Sequence, residues 1–277
     1  MDNYSVLMSV YYKEIPEYFR QSLQSMMDQT VVTDDFVLVC DGPITDELDA
    51  VIQYFTEQYP NIFNVIRLPE NVGIGNAANI GLQHCKNDLV AKMDADDISI
   101  SNRCELQLKK FAANEHLTVV GGIIEEFDQD VNRPFAIRNV PDSNEDIRVF
   151  ARRRQPFNNV TVMYRRSAVL AVGSYRPLCR CEDYDLYVRL LYADYYAENI
   201  PQVLAKVRVG KGGISRRVSW LTLKGVFYSR WHAVRIGYSS IWDFLICVGG
   251  ELVMMLCPSS VRRYIYNRFL RKKCTSQ

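Results

Sequence analysis

The sequence contains no apolar segment long enough to cross a membrane as a helix. Its longest apolar stretch, residues 244–257, has 14 residues and is interrupted by Glu251, whereas a spanning helix needs about 20 mostly apolar residues. The first five residues, MDNYS, carry neither the basic nor the apolar part of a secretory signal peptide. These two absences predict a protein that is located in the cytoplasm and does not span a membrane.

Cysteine and histidine are present, but not in the spacings that bind metal. None of the eight cysteines forms a Cys-x-x-Cys pair, and the chain has three histidines. Structural zinc sites need closely spaced pairs of such ligands, so we expect reduced thiols. The chain also lacks repeats and low-complexity segments, and its 48% hydrophobic and 23% charged residues are typical of a folded globular protein.

The net charge is close to zero, but its distribution is uneven. Residues 201–277 contain 14 Lys and Arg against two acids, and residues 1–200 contain 19 bases against 30 acids. A strongly basic segment attached to an acidic body predicts an anionic partner for the basic segment. Either a membrane surface or a nucleic acid meets this description.

The first hundred residues alternate between short apolar runs and stretches with helical spacing. Four runs predict buried strands, at residues 5–11, 36–40, 63–68 and 89–93. The stretches between them predict helices, at residues 17–28, 46–59 and 75–85. This alternation predicts an α/β fold with a mostly parallel central sheet flanked by helices. Such sheets bind ligands beyond the carboxyl ends of their strands.

The alternation weakens after residue 100. Residues 117–127, 134–140 and 159–164 predict further strands, and residues 182–192 predict a helix. From residue 217 onward the pattern is helical, aromatic and basic, without strand signals.

Three carboxylates stand directly after the fourth predicted strand, in the sequence Asp94-Ala-Asp96-Asp97. Carboxylates this close repel one another, and a hard divalent cation held together with substrate phosphates would compensate the charge. The alternative is a helix N-cap, supplied by Asp97, Ser99 or Ser101. We expect Asp94 and Asp96 to bind a metal ion or a nucleotide, and Asp97 to act at the helix start.

Two glycine-containing segments follow the second and third predicted strands. Asp41-Gly42 predicts either an ordinary turn or a carboxylate that accepts from a base or ribose. Residues 73–78, Gly-x-Gly-x-x-Ala, match the loose fingerprint of a dinucleotide site, but that fingerprint belongs after the first strand of such a fold. An NAD-dependent enzyme is therefore disfavoured, and a glycine-rich turn that approaches a bound nucleotide sugar fits at least as well.

Charged groups mark two segments in the last third of the chain. Residues 182–185, Glu-Asp-Tyr-Asp, stand at the start of a predicted helix. Acids there either favour the helix dipole or supply a general base to an acceptor hydroxyl. Residues 207–217 combine glycines with four bases, which suits a phosphate-rich ligand; the alternative is a solvated charged segment.

Taken in order, these motifs resemble those of glycosyltransferase family 2, over residues 5–220. The matching segments are residues 9–11, 41–42, 71–81, 94–97, 102–107 and 182–185. Within the family the chain is most similar to bacterial enzymes that build capsule, exopolysaccharide or O-antigen units on undecaprenyl diphosphate. The resemblance implies a GT-A fold and an inverting transfer of a sugar from a nucleotide-diphosphate donor. UDP-hexose or UDP-N-acetylhexosamine would be the donor, and a hydroxyl of a lipid-linked saccharide the acceptor.

The resemblance also implies roles for individual residues. Tyr11 and Asp41 would hold the uracil, Asp94 would face the ribose or the metal, and Asp96 would ligate Mn²⁺ or Mg²⁺. Asp183 would be the base that deprotonates the acceptor hydroxyl. Further candidates for the donor site are Asn71, Gly73, Asn76 and Arg103, and weaker candidates for acceptor or phosphate contacts are Glu182, Arg208, Arg216 and Arg217. Relatives usually carry a histidine in the segment matching residues 155–163, where this chain has Asn159.

We expect a catalytic domain at residues 1–217 and a helical, basic extension at residues 218–277. Its aromatic side chains alternate with bases, a composition that suits the anionic inner face of a cell membrane. The alternative is a helical cap packed on the catalytic domain. Nucleic acid is not an expected partner of a family 2 enzyme, and the oligomeric state is left open. The other class of function is a non-catalytic adaptor that binds anionic lipid or nucleic acid through the basic tail.

Overall fold

The computed structural model describes residues 3–178, 180–210 and 219–258, together with the backbone of residues 272–273. In chain order its strands are β1 (Tyr4–Val10), β2 (Asp35–Cys40), β3 (Phe63–Arg67), β4 (Leu89–Asp94), β5 (Ile98–Ser99), β6 (Leu117–Phe127), β7 (Ala136–Arg138), β8 (Met163–Arg165), β9 (Tyr196–Arg208) and β10 (Lys272–Lys273). Its helices are α1 (Pro16–Met27), α2 (Asp46–Gln58), α3 (Ile74–His84), α4 (Arg103–Ala113), α5 (Asn144–Ala151), α6 (Arg166–Ala171), α7 (Glu182–Tyr192), α8 (Trp220–Arg235) and α9 (Ile241–Leu256).

Four parallel strands form the half of the sheet that carries the predicted site. β1 lies between β2 and β4, and β3 pairs with the outer side of β2. β1 and β2 are buried nearly throughout, as apolar strands of a parallel sheet are when helices cover both faces. The shared direction brings the carboxyl ends of β1, β2 and β4 to one edge, as the sequence pattern predicts.

Alternate side chains of β1 divide the core between two layers of helices. Val6 and Met8 pack with α1 and α2, whereas Leu7 packs with α3 on the opposite face. α3 comes close to the sheet at Gly81, where an added Cβ would lie 2.4 Å from Leu7 Cδ1. This glycine therefore permits the short distance between α3 and β1.

The second half of the sheet is mostly antiparallel and is organised around β6. β8 joins β6 to β4 by antiparallel pairing, and β7 pairs with the later part of β6. The long strand β9 runs parallel to β6 and also pairs with the short strand β5. Because β5 follows directly after residues 94–97, this pairing brings Arg208 beside the acidic run.

The α/β architecture confirms the predicted fold class, and the differences from prediction begin at β5, a short strand that the sequence pattern did not predict. The sequence pattern did not predict β9, which contains Pro201, or the short helices α5 and α6. Residues 159–164 do not form one strand, because a 3-10 turn at Asn159–Thr161 precedes β8. The expectation of no strand beyond residue 217 is also corrected by β10, which pairs with β7.

Helices α8 and α9 follow the sheet domain, and α8 packs on α7. Ala233 of α8 contacts Tyr184 and Val188 of α7 in a small buried cluster. The guanidinium carbon of Arg230 lies 3.5 Å from the centroid of the Tyr184 ring. No helix in the described part of the chain is both long enough and apolar enough to cross a membrane. The predicted boundary between residues 217 and 218 lies outside the described residues.

Candidate active site

A cleft of about 480 Å³ opens at the carboxyl ends of β1, β2 and β4. Six residues that the sequence predicts for the donor or metal site line this cleft: Tyr11, Asp41, Asn71, Gly73, Asp94 and Asp96. Glu14 and Arg180, which the sequence did not single out, line it as well. The fold thus brings these side chains together at the edge where a parallel sheet is expected to bind its ligand.

The carboxylate of Asp41 organises the loop between β3 and α3. Its two oxygens accept hydrogen bonds from the backbone N–H groups of Val72 and Gly73, at 2.8 and 3.2 Å. Its carbonyl oxygen accepts a third from Asn71 Nδ2, at 3.1 Å. Each carboxylate oxygen has a further lone pair, so Asp41 builds one wall of the cleft and keeps acceptor capacity. The contact of Asp41 with the nucleobase stays a prediction.

Gly42 and Asn76 support the same loop. Gly42 has a φ of +87°, and an added Cβ would lie 2.8 Å from the backbone nitrogen of Asn71, so only glycine fits there. Asn76 is not among the described residues that line the cleft. Its Nδ2 donates instead to the carbonyl of Val72, at 2.9 Å. Asn76 therefore holds the loop from behind, which differs from its predicted place in the donor site.

The acidic run after β4 divides between the cleft and the body of the protein. Asp94 and Asp96 line the cleft, whereas Asp97 is 4% exposed and accepts from the backbone N–H of Arg208 at 2.8 Å. Burial and the carboxylates of Asp96 and Asp94 raise the pKa of Asp97 well above its ordinary value. The hydrogen bond between Asp97 and Arg208 therefore connects the acidic run after β4 to strand β9. The prediction that Asp97 acts at the helix start is wrong, since α4 begins after Asn102.

The two cleft carboxylates fit a divalent cation that is shared with a ligand. Burial raises the pKa of Asp94, although the charges of Lys92 and Arg103 oppose this, so a cation bound beside it would stabilise the ionised form. In the described chain no group of three or more His, Cys, Asp and Glu forms a site for a metal ion. One or two carboxylates together with phosphate oxygens are a typical ligand set for Mg²⁺. The donor set of Asp94 and Asp96 matches this type.

The chain enters α7 through two residues in the left-handed region. Arg180 has a φ of +71° and Cys181 a φ of +63°, a conformation that non-glycine residues rarely adopt. The turn places Arg180 in the wall of the cleft and starts α7 at Glu182. Glu182 is 6% exposed, and within the described residues its Oε2 has no hydrogen-bond partner. The start of α7 thus brings a buried carboxylate beside the site, and burial raises its pKa against the opposing charges of Lys92 and Arg180.

Asp183, the next residue, has the properties of a general base. Burial and the negative charges of Glu182 and Asp94 raise its pKa to about 8, against the opposing charge of Lys92. A carboxylate with a pKa near neutrality can both take up and release a proton under ordinary conditions. The electrostatic surroundings of Asp183 are compatible with its predicted role, but the residue is not among the described residues that line the cleft. The role of Asp183 as the base remains a prediction.

Asp185, two residues further along α7, is tied into a network of basic groups. It is 1% exposed, and its carboxylate lies 2.8 Å from Arg189 Nε and 3.1 Å from His232 Nδ1. Arg189 on α7, together with Arg176 at 3.7 Å, therefore compensates its negative charge, whereas burial lowers the pKa of His232 and disfavours a positive charge there. This makes Asp185 a weaker candidate for the base than Asp183.

Lys92 interacts with the acids of the site, although it is not among the residues predicted for the site. The residue is 3% exposed in the middle of β4, and its charge lowers the pKa values of Asp94, Glu182 and Asp183. One signal was present in the sequence, because a lysine in an otherwise apolar strand needs a negatively charged partner. Lys92 links the acids of β4 to those of α7 in one electrostatic cluster.

The predicted arginines occupy different positions. Arg103 is fully buried, and its Nη2 donates to the carbonyl of Lys92 at 2.7 Å, so the geometry gives no support to its predicted contact with the donor. Arg208 lies 3.8 Å from the centroid of the Tyr18 ring, and its Nε donates to the carbonyl of Asp96 at 3.3 Å. It braces the acidic run, and its contact with phosphate stays a prediction. The predicted Arg216 and Arg217 lie outside the described residues.

Asn159 stands in the segment where the family resemblance led us to expect a histidine. Its Oδ1 accepts a hydrogen bond from the hydroxyl of Tyr187, at 2.6 Å. Tyr187 belongs to α7, so this bond ties the segment to the helix that carries Asp183. Asn159 therefore has a structural contact of its own in place of the histidine.

Sequence comparisons relate the chain to bacterial glycosyltransferases. Residues 5–177 match the family described as Glycosyl transferase family 2. An uncharacterized glycosyltransferase of Haemophilus influenzae is 37% identical over 97% of this chain and 99% of its own length. The UDP-Gal:alpha-D-GlcNAc-diphosphoundecaprenol beta-1,3-galactosyltransferase of Escherichia coli is 33% identical over 97% of both chains. The amylovoran biosynthesis glycosyltransferase AmsE of Erwinia amylovora is 37% identical over 80% of this chain and 82% of its own.

Solved structures share the fold at lower identity. The mannosyltransferase PcManGT from Pyrobaculum calidifontis, in complex with GDP-Man and Mn²⁺, has a TM-score of 0.66 at 17% identity and covers 90% of this chain and 69% of its own. Residues 1–349 of S. aureus TarS, in complex with UDP-GlcNAc, have a TM-score of 0.66 at 17% identity, over 88% of this chain and 70% of that one. The likeness concerns the fold, and it confirms the predicted GT-A architecture.

The raised pKa of Asp183 predicts that this residue lowers the stability of the ligand-free protein at alkaline pH. Between about pH 4 and about pH 8 the folded protein holds a proton on Asp183 that the unfolded chain has released. The free energy of unfolding therefore falls as the pH rises through this window. Asp183→Asn stays neutral and avoids the loss. Above about pH 8 we expect the variant to be more stable than the wild type by at least about 1 kcal/mol.

Urea unfolding at several pH values, without donor or divalent cation, measures this difference. Asp128→Asn replaces an exposed aspartate that does not line the cleft, and it should follow the wild type at every pH. The advantage of Asp183→Asn should shrink towards about pH 4, where the unfolded chain also becomes protonated. A difference that is independent of pH would contradict the raised pKa.

Proposed function

The chain belongs to glycosyl transferase family 2, and from this premise we propose that it transfers a hexose or N-acetylhexosamine from a UDP-sugar to a lipid-linked saccharide. The observation that carries the proposal is the cleft lined by Asp94 and Asp96, together with the effect of the Asp94 charge on Asp183 in the first turn of α7. Asp94 and Asp96 suit a cation that binds the donor diphosphate, and Asp183 suits the hydroxyl of the acceptor. The relatives named for amylovoran synthesis and for galactosyl transfer to a lipid diphosphate support a role in polysaccharide synthesis.

The donor would lie along the ends of β1, β2 and β4. Tyr11 and the loop that Asp41 holds would contact the nucleotide. Asp94 and Asp96 would hold Mn²⁺ or Mg²⁺, which neutralises the negative charge on the departing nucleoside diphosphate.

The acceptor would react from the side of α7. Asp183 would take the proton of the acceptor hydroxyl as its oxygen forms a bond to the anomeric carbon. The bond between that carbon and the diphosphate oxygen breaks at the same time, and a single displacement inverts the configuration. Lys92 would limit the repulsion between Asp183 and the acids at the donor, since its charge acts on both groups.

Replacement of the proposed base provides the direct test of this mechanism. Asparagine resembles aspartate in shape but does not accept the proton, so Asp183→Asn should lower kcat about 10²–10⁴-fold. The KM for the donor should change little, because the donor site is intact. The assay is transfer from UDP-hexoses and UDP-N-acetylhexosamines to GlcNAc linked through diphosphate to a lipid, the acceptor named for the E. coli relative.

Asp185→Asn is the matched control on the same helix. It removes a partner of Arg189 and should lower stability more than kcat. An inactive Asp185→Asn beside an active Asp183→Asn would overturn the assignment of the base. Wild-type protein that transfers no sugar from any UDP or GDP donor would favour the non-catalytic adaptor instead.

Removal of one cleft carboxylate tests for the divalent cation. A bound UDP-sugar with Mn²⁺ should stabilise the wild type, because a ligand present at about 100 times its Kd adds about 2.7 kcal/mol. We expect Asp96→Ala to lose this gain and Asp128→Ala to keep it, as measured by thermal unfolding with and without Mn²⁺. Undiminished transfer by the wild type in EDTA would remove the metal ion from the proposal.

We also propose that α8 and α9 attach the protein to the inner face of the cell membrane without crossing it. Only Asp243 and Phe244 are buried in α9, although most of its 16 residues are apolar. The exposed side chains form the apolar face of α8 and α9, which consists of Trp220, Leu221, Phe227, Tyr228, Trp231, Ile241, Trp242, Leu245, Ile246, Leu252, Val253 and Leu256. Exposed apolar residues on helices, flanked by bases, are typical of interfacial membrane binding.

Two substitutions on this face test the attachment in the full chain. Trp242→Ser together with Leu245→Ser removes exposed apolar area from α9 and leaves the contacts of α8 with α7 intact. We expect the double variant to co-sediment more weakly with anionic vesicles than the wild type. High salt should reduce the binding of every variant further, because each base near an anionic surface contributes about 1 kcal/mol to membrane binding. Tyr192→Ser, an exposed aromatic on α7, is the control. Equal binding by all three proteins would favour a helical cap.

A further inference from the structure

We propose that a second cavity, between α8 and the loop that precedes α7, binds the diphosphate of the lipid-linked acceptor, with Lys224 as its cation. The cavity has a volume of about 320 Å³ and is lined by Pro177, Leu178, Lys224, Gly225 and Tyr228. This inference rests on the proposed function, from which it takes the class of acceptor. It adds a site for the part of the acceptor that does not react.

The loop before α7 contributes to both cavities. The side chain of Asn79 holds the start of this loop. Its Nδ2 donates to the carbonyl of Tyr175 at 2.7 Å, and its Oδ1 accepts from the N–H of Tyr175 at 2.8 Å. Pro177 and Leu178 line the second cavity, and Arg180 lines the donor cleft. The loop then leads into the first turn of α7, which carries Asp183. An acceptor bound in the second cavity would therefore lie against the same loop that borders the donor and ends at the base.

Lys224 gives the second cavity a positive charge. Its side chain is exposed, and among the residues that the structure describes it forms no ion pair. Its Nζ lies 6.0 Å from the centroid of the Tyr228 ring. The other described residues that line the cavity carry no charge, so within the described part of the chain an anion that enters it meets one cation and no carboxylate. Phosphate groups form strong, charge-assisted contacts with lysine.

The apolar face of α8 and α9 continues from the cavity. Tyr228 belongs to both, and Phe227 and Trp231 lie near it on α8. The lipid chain of an acceptor can lie along this face while its diphosphate enters the cavity. A nucleotide or a free sugar phosphate has no apolar chain that would use the face, so the combination favours a lipid diphosphate.

The test uses farnesyl diphosphate, a short lipid diphosphate without sugar, and measures its dissociation constant for the full chain by calorimetry. Lys224→Ala should weaken binding about tenfold, because a charge-assisted contact is lost, and Lys224→Arg should restore most of the affinity. Arg235→Ala removes the same charge from an exposed position on α8 outside the cavity. It should change the affinity by less than about twofold, since distant exposed charges are screened by salt. Farnesol, which lacks the diphosphate, should not distinguish the wild type from Lys224→Ala.

Three results would overturn the site. They are unchanged affinity in Lys224→Ala, equal losses in Lys224→Ala and Arg235→Ala, and farnesol binding as tight as that of the diphosphate. The outcome is separable from that of the proposed function. Sugar transfer by the wild type together with full affinity in Lys224→Ala would refute only this site. Probe binding that depends on Lys224, in a protein that transfers no sugar, would refute only the proposed transfer.

Discussion

The gathering of like charges between the end of β4 and the start of α7 is the constraint on which the rest of this structure depends. Asp94 ends β4, and Glu182 and Asp183 begin α7, so carboxylates from distant parts of the chain act on one another and on Lys92. Burial raises the pKa of all three acids, which means that each is kept in surroundings that disfavour its charge. Such a cluster lowers the stability of the fold and persists only where neighbouring elements hold its members in place. Perturbed carboxylates in a cleft are characteristic of functional sites.

The residues that hold the cluster act through the backbone. Arg103 donates to the carbonyl of Lys92 from behind β4, and Arg208 of β9 donates both to Asp97 and to the carbonyl of Asp96. On the opposite wall, the carboxylate of Asp41 positions the loop after β3 by accepting hydrogen bonds from two of its N–H groups. Charged residues that look alike in the sequence therefore separate into those that face the cleft and those that position its walls. This division explains why a charged residue in a family motif is not by itself evidence of contact with the substrate.

The parallel half of the fold and most of the cleft could be predicted from sequence because both follow from local patterns. The polar residues that end apolar runs mark the edge of the sheet, and Asp41, Asp94 and Asp96 are identified in this way. β9 could not be predicted, because Pro201 interrupts its pattern and its pairing depends on β5 and β6. The roles of Lys92 and Arg103 depend on burial, which only the assembled fold creates. The left-handed approach to α7 has no signal in the sequence either, since its residues are not glycine.

Helix α7 connects the two surfaces that the proposed reaction has to bring together. Its first turn carries Asp183, and the residues that follow pack against α8, where Arg230 lies over Tyr184 and Ala233 contacts Val188. In the proposed reaction a donor dissolved in water and an acceptor anchored in a membrane would meet only at the membrane surface, so the proposed base would have to keep a fixed position relative to both. Because Tyr184 follows Asp183 directly, a displacement of α8 acts on the residue beside the proposed base. The contact between α7 and α8 therefore makes the proposed membrane-facing helices part of the support of the active site.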